Sequence, residues 1–263
     1  MLIIDTLLNL LVLFLLIIFV VKRITINFHL KSVDFRILYP TLKFSFWIFL
    51  GVLMDQFYWR TGSFVLGKYS NTNEIAIFSI CMLFTSYFMT FSSSISNFFL
   101  PKITKLYVDK ASPNELTNLL IKVGRIQFFI ISYILFGFLY VGDDFIKFWV
   151  GENFKAAYLY TLIIFMPLTI PSIQNVGNLM FEAYSKHKYR IIGNVIMALI
   201  SVFISVLLLK RIGTIGIPIS IALCVFFGQI IYTNFLMYKI LKINILKFFK
   251  SIFLDNYLYF LAI

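Results

Sequence analysis

Histidine and cysteine are nearly missing from this chain, at two residues each among 263. Cys81 and Cys224 fall inside apolar runs, and His29 and His187 fall in the connections between runs, so neither a metal cluster nor a nucleophile constellation can be assembled from them. Charge is just as sparse: Asp, Glu, Lys and Arg fill 13% of positions, against about 25% in soluble domains. A glycine-rich phosphate loop on a strand, a soluble catalytic domain and a low-complexity tail are also missing. No catalytic residue, metal or cofactor is expected, and the residues do not nominate an enzyme.

What the sequence has instead is apolar length. Hydrophobic residues reach 61% and the mean hydropathy is +0.94, more apolar surface than a water-soluble fold of this size can hide. A membrane β-barrel would show segments of about ten residues alternating apolar and polar side chains. The runs here are long and uninterrupted, at about 2–21, 42–66, 75–100, 118–142, 156–182, 190–209 and 213–238, with a partial run from about 248 to the end. Since a crossing helix needs about 20 residues, the expectation is an all-α polytopic transmembrane bundle with seven complete crossings and the start of an eighth.

Basic residues are retained on the cytoplasmic side during insertion. With Met1 outside, seventeen Lys and Arg lie in the inner connections, and only Lys68, Lys147, Lys155, Lys210 and Arg211 lie outside. The connections at about 22–41 and 102–117 are then cytoplasmic. The net charge of +12 is accounted for by anionic lipid headgroups, with no nucleic acid needed.

Polar residues at membrane depth are costly, a mid-depth charge requiring about 2.5–3.5 kcal/mol on insertion scales. In the second run Asp55, Gln56, Trp59, Arg60 and Ser63 share an arc of roughly 140°, which either lines a cavity or lets Asp55 and Arg60 compensate each other at a helix contact. In the fifth, Gln174, Asn175, Asn178 and Glu182 share an arc of about 100° with Pro167 and Pro171. A proline pair frees carbonyls and bends the helix, as in broken helices that line cavities; amides also serve as packing glue. The stripe Ser86, Thr90, Ser93 and Asn97 reads as a close-packing surface. Lys122 and Arg125, at the inner end of the fourth run, could clamp a diphosphate or snorkel to headgroups. Trp149 reads as an interfacial anchor.

The stretches "MDQFYWRTGSFVLGKYSNTNEIAIFSI", "FFLPKIT", "DDFIKFWVGENFKAAYLYTLI" and "YRIIGNVIMALISVFISVLLLKRIGTIGIPISIAL", in that order over about residues 37–245, resemble polysaccharide-biosynthesis flippases of the multidrug/oligosaccharidyl-lipid/polysaccharide exporter class. The resemblance implies alternating access between two six-helix lobes, moving a lipid-linked oligosaccharide of polyprenyl-diphosphate type to the outer leaflet for O-antigen, capsule or another surface glycan. It places the chain in the inner, cytoplasmic membrane. Residues 1–21 would be the last helix of an N-terminal lobe, 22–41 a cytoplasmic linker, 42–240 a C-terminal six-helix lobe and 241–263 the start of a further membrane segment. The other lobe would come from a longer chain or a partner chain, and a glycan polymerase could act downstream.

On that resemblance the substrate would meet Arg60, Gln56, Trp59, Gln174, Asn175, Asn178, Lys122 and Arg125, while Asp55 and Glu182 would couple transport to a cation or proton. Two rivals remain: a multidrug or cation exporter, whose cavity should be rich in carboxylates and aromatics, and a membrane glycan polymerase or ligase. The latter is expected to carry a large basic outer loop, whereas the connection at about 142–155 is short.

Overall fold

The computed structural model describes residues 2–23 and 35–254, and among them all regular structure is helical. The chain divides into two compact units, Met1–Lys43 and Phe44–Ile263. The first contains α1 (Leu2–Arg23), with the apolar stretch Thr6–Phe19, and the opening residues of α2 (Phe35–Tyr69). The second contains the rest of α2 and α3 (Thr72–Phe98), α4 (Leu100–Val108), α5 (Pro113–Val150), α6 (Ala156–Ile173), α7 (Asn175–Ala183), α8 (His187–Ile212), α9 (Gly216–Cys224), α10 (Thr233–Leu241) and α11 (Ile245–Phe253).

Helix boundaries follow local chemistry. The Asn71 side chain accepts the Glu74 N–H at the start of α3, and Ser112 and Glu115 form a reciprocal capping box before Pro113 at the start of α5. Gly213, at φ 75°, ends α8 in a conformation that a side chain would disfavour. The segment Val225–Tyr232, between α9 and α10, is a π-helix, and the whole stretch Gly216–Leu241 has the length and apolar composition of one crossing.

Among the described residues, five helical stretches are long and apolar enough to cross a membrane: Thr72–Phe98, Pro113–Val150, Glu152–Ile173, His187–Ile212 and Gly216–Leu241. That is fewer than the seven expected. The first expected crossing falls on α1, whose described apolar stretch is shorter, and the second on α2, which has the length but carries Asp55, Gln56 and Arg60 at its middle. The fifth run is two helices, since α6 stops at Ile173 and the Gln174 N–H bonds the carbonyl of Pro171. The connection at 142–155 is mostly helix, because α5 continues to Val150 with a Lys147–Asp143 ion pair at 2.6 Å. The α2 helix begins inside the expected 22–41 linker; His29 lies outside the described residues. In the expected final segment, α11 has nine residues, and 255–263 lie outside the described residues.

Helix α6 packs against α3, α5 and α9, and α8 against α9. The core is apolar, with Phe88 and Phe165 stacked at 4.3 Å. Several polar groups inside it bond between helices: Gln127 Nε2 donates to Ser96 Oγ at 2.8 Å and to the Ser92 carbonyl at 3.0 Å, and Tyr58 donates to the Ile221 carbonyl at 3.2 Å. The outside is apolar too. Tyr140 and Phe148 are 90% and 91% exposed, an arrangement suited to lipid and not to water. The protein is a multi-pass helical membrane bundle.

Candidate functional site

Within the second unit, a partly open cavity of about 260 Å³ interrupts this apolar bundle. Helix α2 contributes Asp55 and Trp59, α3 contributes Met89, Thr90, Ser92 and Ser93, and the α6–α7 break contributes Leu168, Pro171, Ser172, Gln174, Asn175 and Asn178. Arg190 and Asn194 enter from α8, one helical turn apart, Gln229 from the π segment, and Thr233 and Met237 from α10.

The break after Ile173 turns consecutive residues to different tasks. Gln174 is buried and donates to Asn234 Oδ1 at 2.9 Å, tying the break to α10. Asn178 Nδ2 donates to Asn175 Oδ1 at 3.2 Å on α7. The π segment has a comparable effect: the Thr233 N–H bonds the Gly228 carbonyl five residues back, and the Thr233 hydroxyl bonds the same carbonyl at 3.1 Å. Such π turns frequently mark functional positions in helices.

Arg190 is the cation of the cavity. It lies 3.4 Å from Glu182 Oε1, is about one-fifth exposed, and its Nε has no hydrogen-bond partner. Asn178 Oδ1 is likewise buried without a partner. Asn194 donates to Asp55 Oδ1 at 3.5 Å. Buried polar atoms in native structures are normally satisfied; Arg190 Nε and Asn178 Oδ1 are two that are not, and both belong to residues that line this cavity.

The sequence-selected residues divide. Asp55, Trp59, Gln174, Asn175 and Asn178 come together, with Glu182 at the side through Arg190. Arg60 does not line the cavity; it is exposed, and its Nε donates to Gln56 Oε1 at 3.0 Å one turn back on the same helix. Gln56 is thereby occupied outside the cavity, and Asp55 and Arg60 have different partners. Lys122 and Arg125 do not line it either: Lys122 lies on a groove between α4 and α5, and Arg125 donates to Ser251 of α11 at 3.2 Å. The expected packing stripe is also reassigned. Thr90 and Ser93 line the cavity, while the neighbouring Ser92 and Ser96 make the close helix contacts.

Arg190, Asn194, Gln229 and Thr233, with Ser92 and Ser172, are polar cavity residues outside the set expected from the sequence, as are the apolar Met89, Leu168 and Met237. Arg190 counts as a flank residue in the Lys and Arg tally. Its spacing of four from Asn194, and that of Gln229 from Thr233, is the face signal that was available.

A family model described as polysaccharide biosynthesis protein matches residues 1–159. The match begins earlier and ends earlier than the resemblance over 37–245. It covers the α2 and α3 walls of the cavity and stops before α7, α8 and the π segment. No curated protein and no solved structure matches the chain. With more than half of its length matched, the chain belongs to the polysaccharide biosynthesis protein family.

Proposed function

We propose that the protein is a transporter that carries a lipid-linked oligosaccharide of polyprenyl-diphosphate type across the inner membrane for surface polysaccharide synthesis. The observation that carries this is Arg190, a half-buried guanidinium with an unpaired Nε, set among amides and hydroxyls from several helices. A diphosphate-linked sugar needs a basic group for its phosphates and many hydrogen-bonding side chains for its hydroxyls. Arg190 supplies the first, and Asn175, Asn178, Asn194, Gln229 and Thr90 supply the second. Glu182 holds Arg190 when no phosphate is bound, and Asp55 and Glu182 are the groups for ion or proton coupling.

Alternating access requires two bundles to move about a site between them. The partly open side of the cavity and the exposed carboxylate of Asp55 favour a second bundle covering this face, as one lobe of a two-lobe transporter. A polymerase would use the transported product.

Asp55 and Trp59 on the cavity wall favour a second reading, export of an organic cation. Arg190 opposes it by like charge. The two separate on deletion of the gene: lipid-linked oligosaccharide should accumulate in the inner leaflet and surface glycan should fall, with drug susceptibility unchanged. Normal glycan with increased susceptibility to cationic drugs would favour the exporter.

A further inference from the structure

Away from the cavity, a groove of about 280 Å³ runs between α4 and α5, lined by Lys102, Leu106, Glu115, Asn118, Leu119 and Lys122. A third lysine reaches its edge, as Lys247 Nζ of α11 donates to Asn118 Oδ1 at 3.3 Å. We propose that this groove binds the phosphate of an anionic membrane lipid, whose headgroup sits among Lys102, Lys122 and Lys247 while its chains lie against apolar helix surface.

The groove is built, and each wall is fixed by its own contacts. The turn between α4 and α5 is closed by the Ala111 N–H on the Leu106 carbonyl at 2.9 Å and the Lys110 N–H on the Tyr107 carbonyl at 3.2 Å. Helix α11 is docked on α5 by the Asn244 N–H bonding Thr117 Oγ1 at 3.1 Å and by burial of Phe248 and Ile252.

The charge balance favours an anion. Glu115 is the acidic residue on the groove, and its carboxylate already accepts from the Ser112 N–H at 2.7 Å and the Ser112 hydroxyl at 2.9 Å, so it is turned into the cap of α5 and not towards the lysines. The lysines keep their donors for a ligand, apart from the one that Lys247 gives to Asn118.

The apolar context favours a lipid over a free ion. Leu106 and Leu119 form part of the lining. Leu246, beside Lys247, is 84% exposed, which places an apolar side chain next to the charge as an interfacial lipid contact requires. The groove shares no lining residue with the cavity, so the proposal stands apart from the transport function.

The test is native mass spectrometry of the full chain in neutral detergent, titrated separately with phosphatidylglycerol, phosphatidylcholine and inorganic phosphate. The expected result is an adduct selective for phosphatidylglycerol, weakened roughly thirtyfold in Lys102→Gln/Lys122→Gln at about one lysine equivalent per substitution. Lys102→Arg/Lys122→Arg should retain it, and Lys68→Gln, at the far end of α2, should leave it unchanged. Equal binding of the two lipids, an unaffected double Gln variant, or displacement by millimolar inorganic phosphate would each overturn the proposal.

Discussion

Asn194 of α8 donates a hydrogen bond at 3.5 Å to Asp55 Oδ1 of α2, joining two helices 139 residues apart in sequence. One turn before Asn194 on the same helix is Arg190, held by Glu182. The cavity wall therefore has a carboxylate, an amide and a guanidinium in succession, with a second carboxylate, Glu182, behind the guanidinium. On the proposed function, a substrate phosphate would compete with Glu182 for Arg190.

Replacing Arg190 with Ala should lower surface glycan roughly ten- to a hundredfold, the equivalent of losing a charge-assisted hydrogen bond of about 1.5–3 kcal/mol. Arg60→Ala should change it less than threefold, since Arg60 bonds Gln56 away from the cavity. Glycan quantified from cells with matched membrane levels of each variant checks both. Full export by Arg190→Ala would remove it from the site.

The polar seam between α3 and α5 gives a stability prediction. Gln127→Leu leaves Ser96 Oγ and the Ser92 carbonyl without their donor, which should destabilise the bundle by about 1–2 kcal/mol. Thermal unfolding in detergent should show a lower midpoint with helix content unchanged at low temperature. An unchanged midpoint would mean that the seam contributes nothing.

The topology implied by the basic residues can be read by thiol labelling in a background where the buried Cys81 and Cys224 are replaced by Ser. Asp109→Cys should react with an impermeant reagent only after permeabilisation, and Asn153→Cys should react in intact cells. The reverse pattern would invert the orientation.

Helix α11 depends on a glycine. A Cβ at Gly124 would lie 2.7 Å from Phe248 Cε2 and 3.1 Å from the Ile173 carbonyl oxygen. Gly124→Leu should therefore displace α11 and raise trypsin cleavage after Lys247 and Lys250 several-fold. Cleavage at the parental rate would show that α11 docks by other contacts.

If a second bundle completes the site, residues 1–263 expressed alone in a strain without its own flippase should not restore surface glycan. Restoration by the chain alone would overturn the two-lobe proposal, unless crosslinking placed Asp55 beside its copy in a second chain.

The helical architecture was legible because long apolar runs admit little else in a bilayer, and Pro167 and Pro171 announced the break in the fifth run. The extension of α5 was hidden, because Asp143, Asp144 and Lys147 resemble loop composition until the Asp143–Lys147 pair is seen at helical spacing. Asp55, Trp59, Gln174, Asn175 and Asn178 of the cavity lining were legible as polar or amphipathic residues inside apolar runs. Arg60 lies off the cavity because a helix can satisfy a guanidinium locally through a residue one turn away, whereas Arg190 was masked by two neighbouring lysines.

The π segment has one more consequence, for length variation among related chains. Wider turns over Val225–Tyr232 take up about one residue more than an α-helix would over the same rise. A relative shorter by one residue here could keep α10, and with it Asn234 against Gln174, in the same facing, while Gln229 would turn away from the cavity. Aligning such chains without a gap would pair a cavity residue such as Met237 with an outward-facing one such as Tyr238, which is 67% exposed. A single-residue gap in this helix thus records a change at the cavity wall and not a slip in the fold.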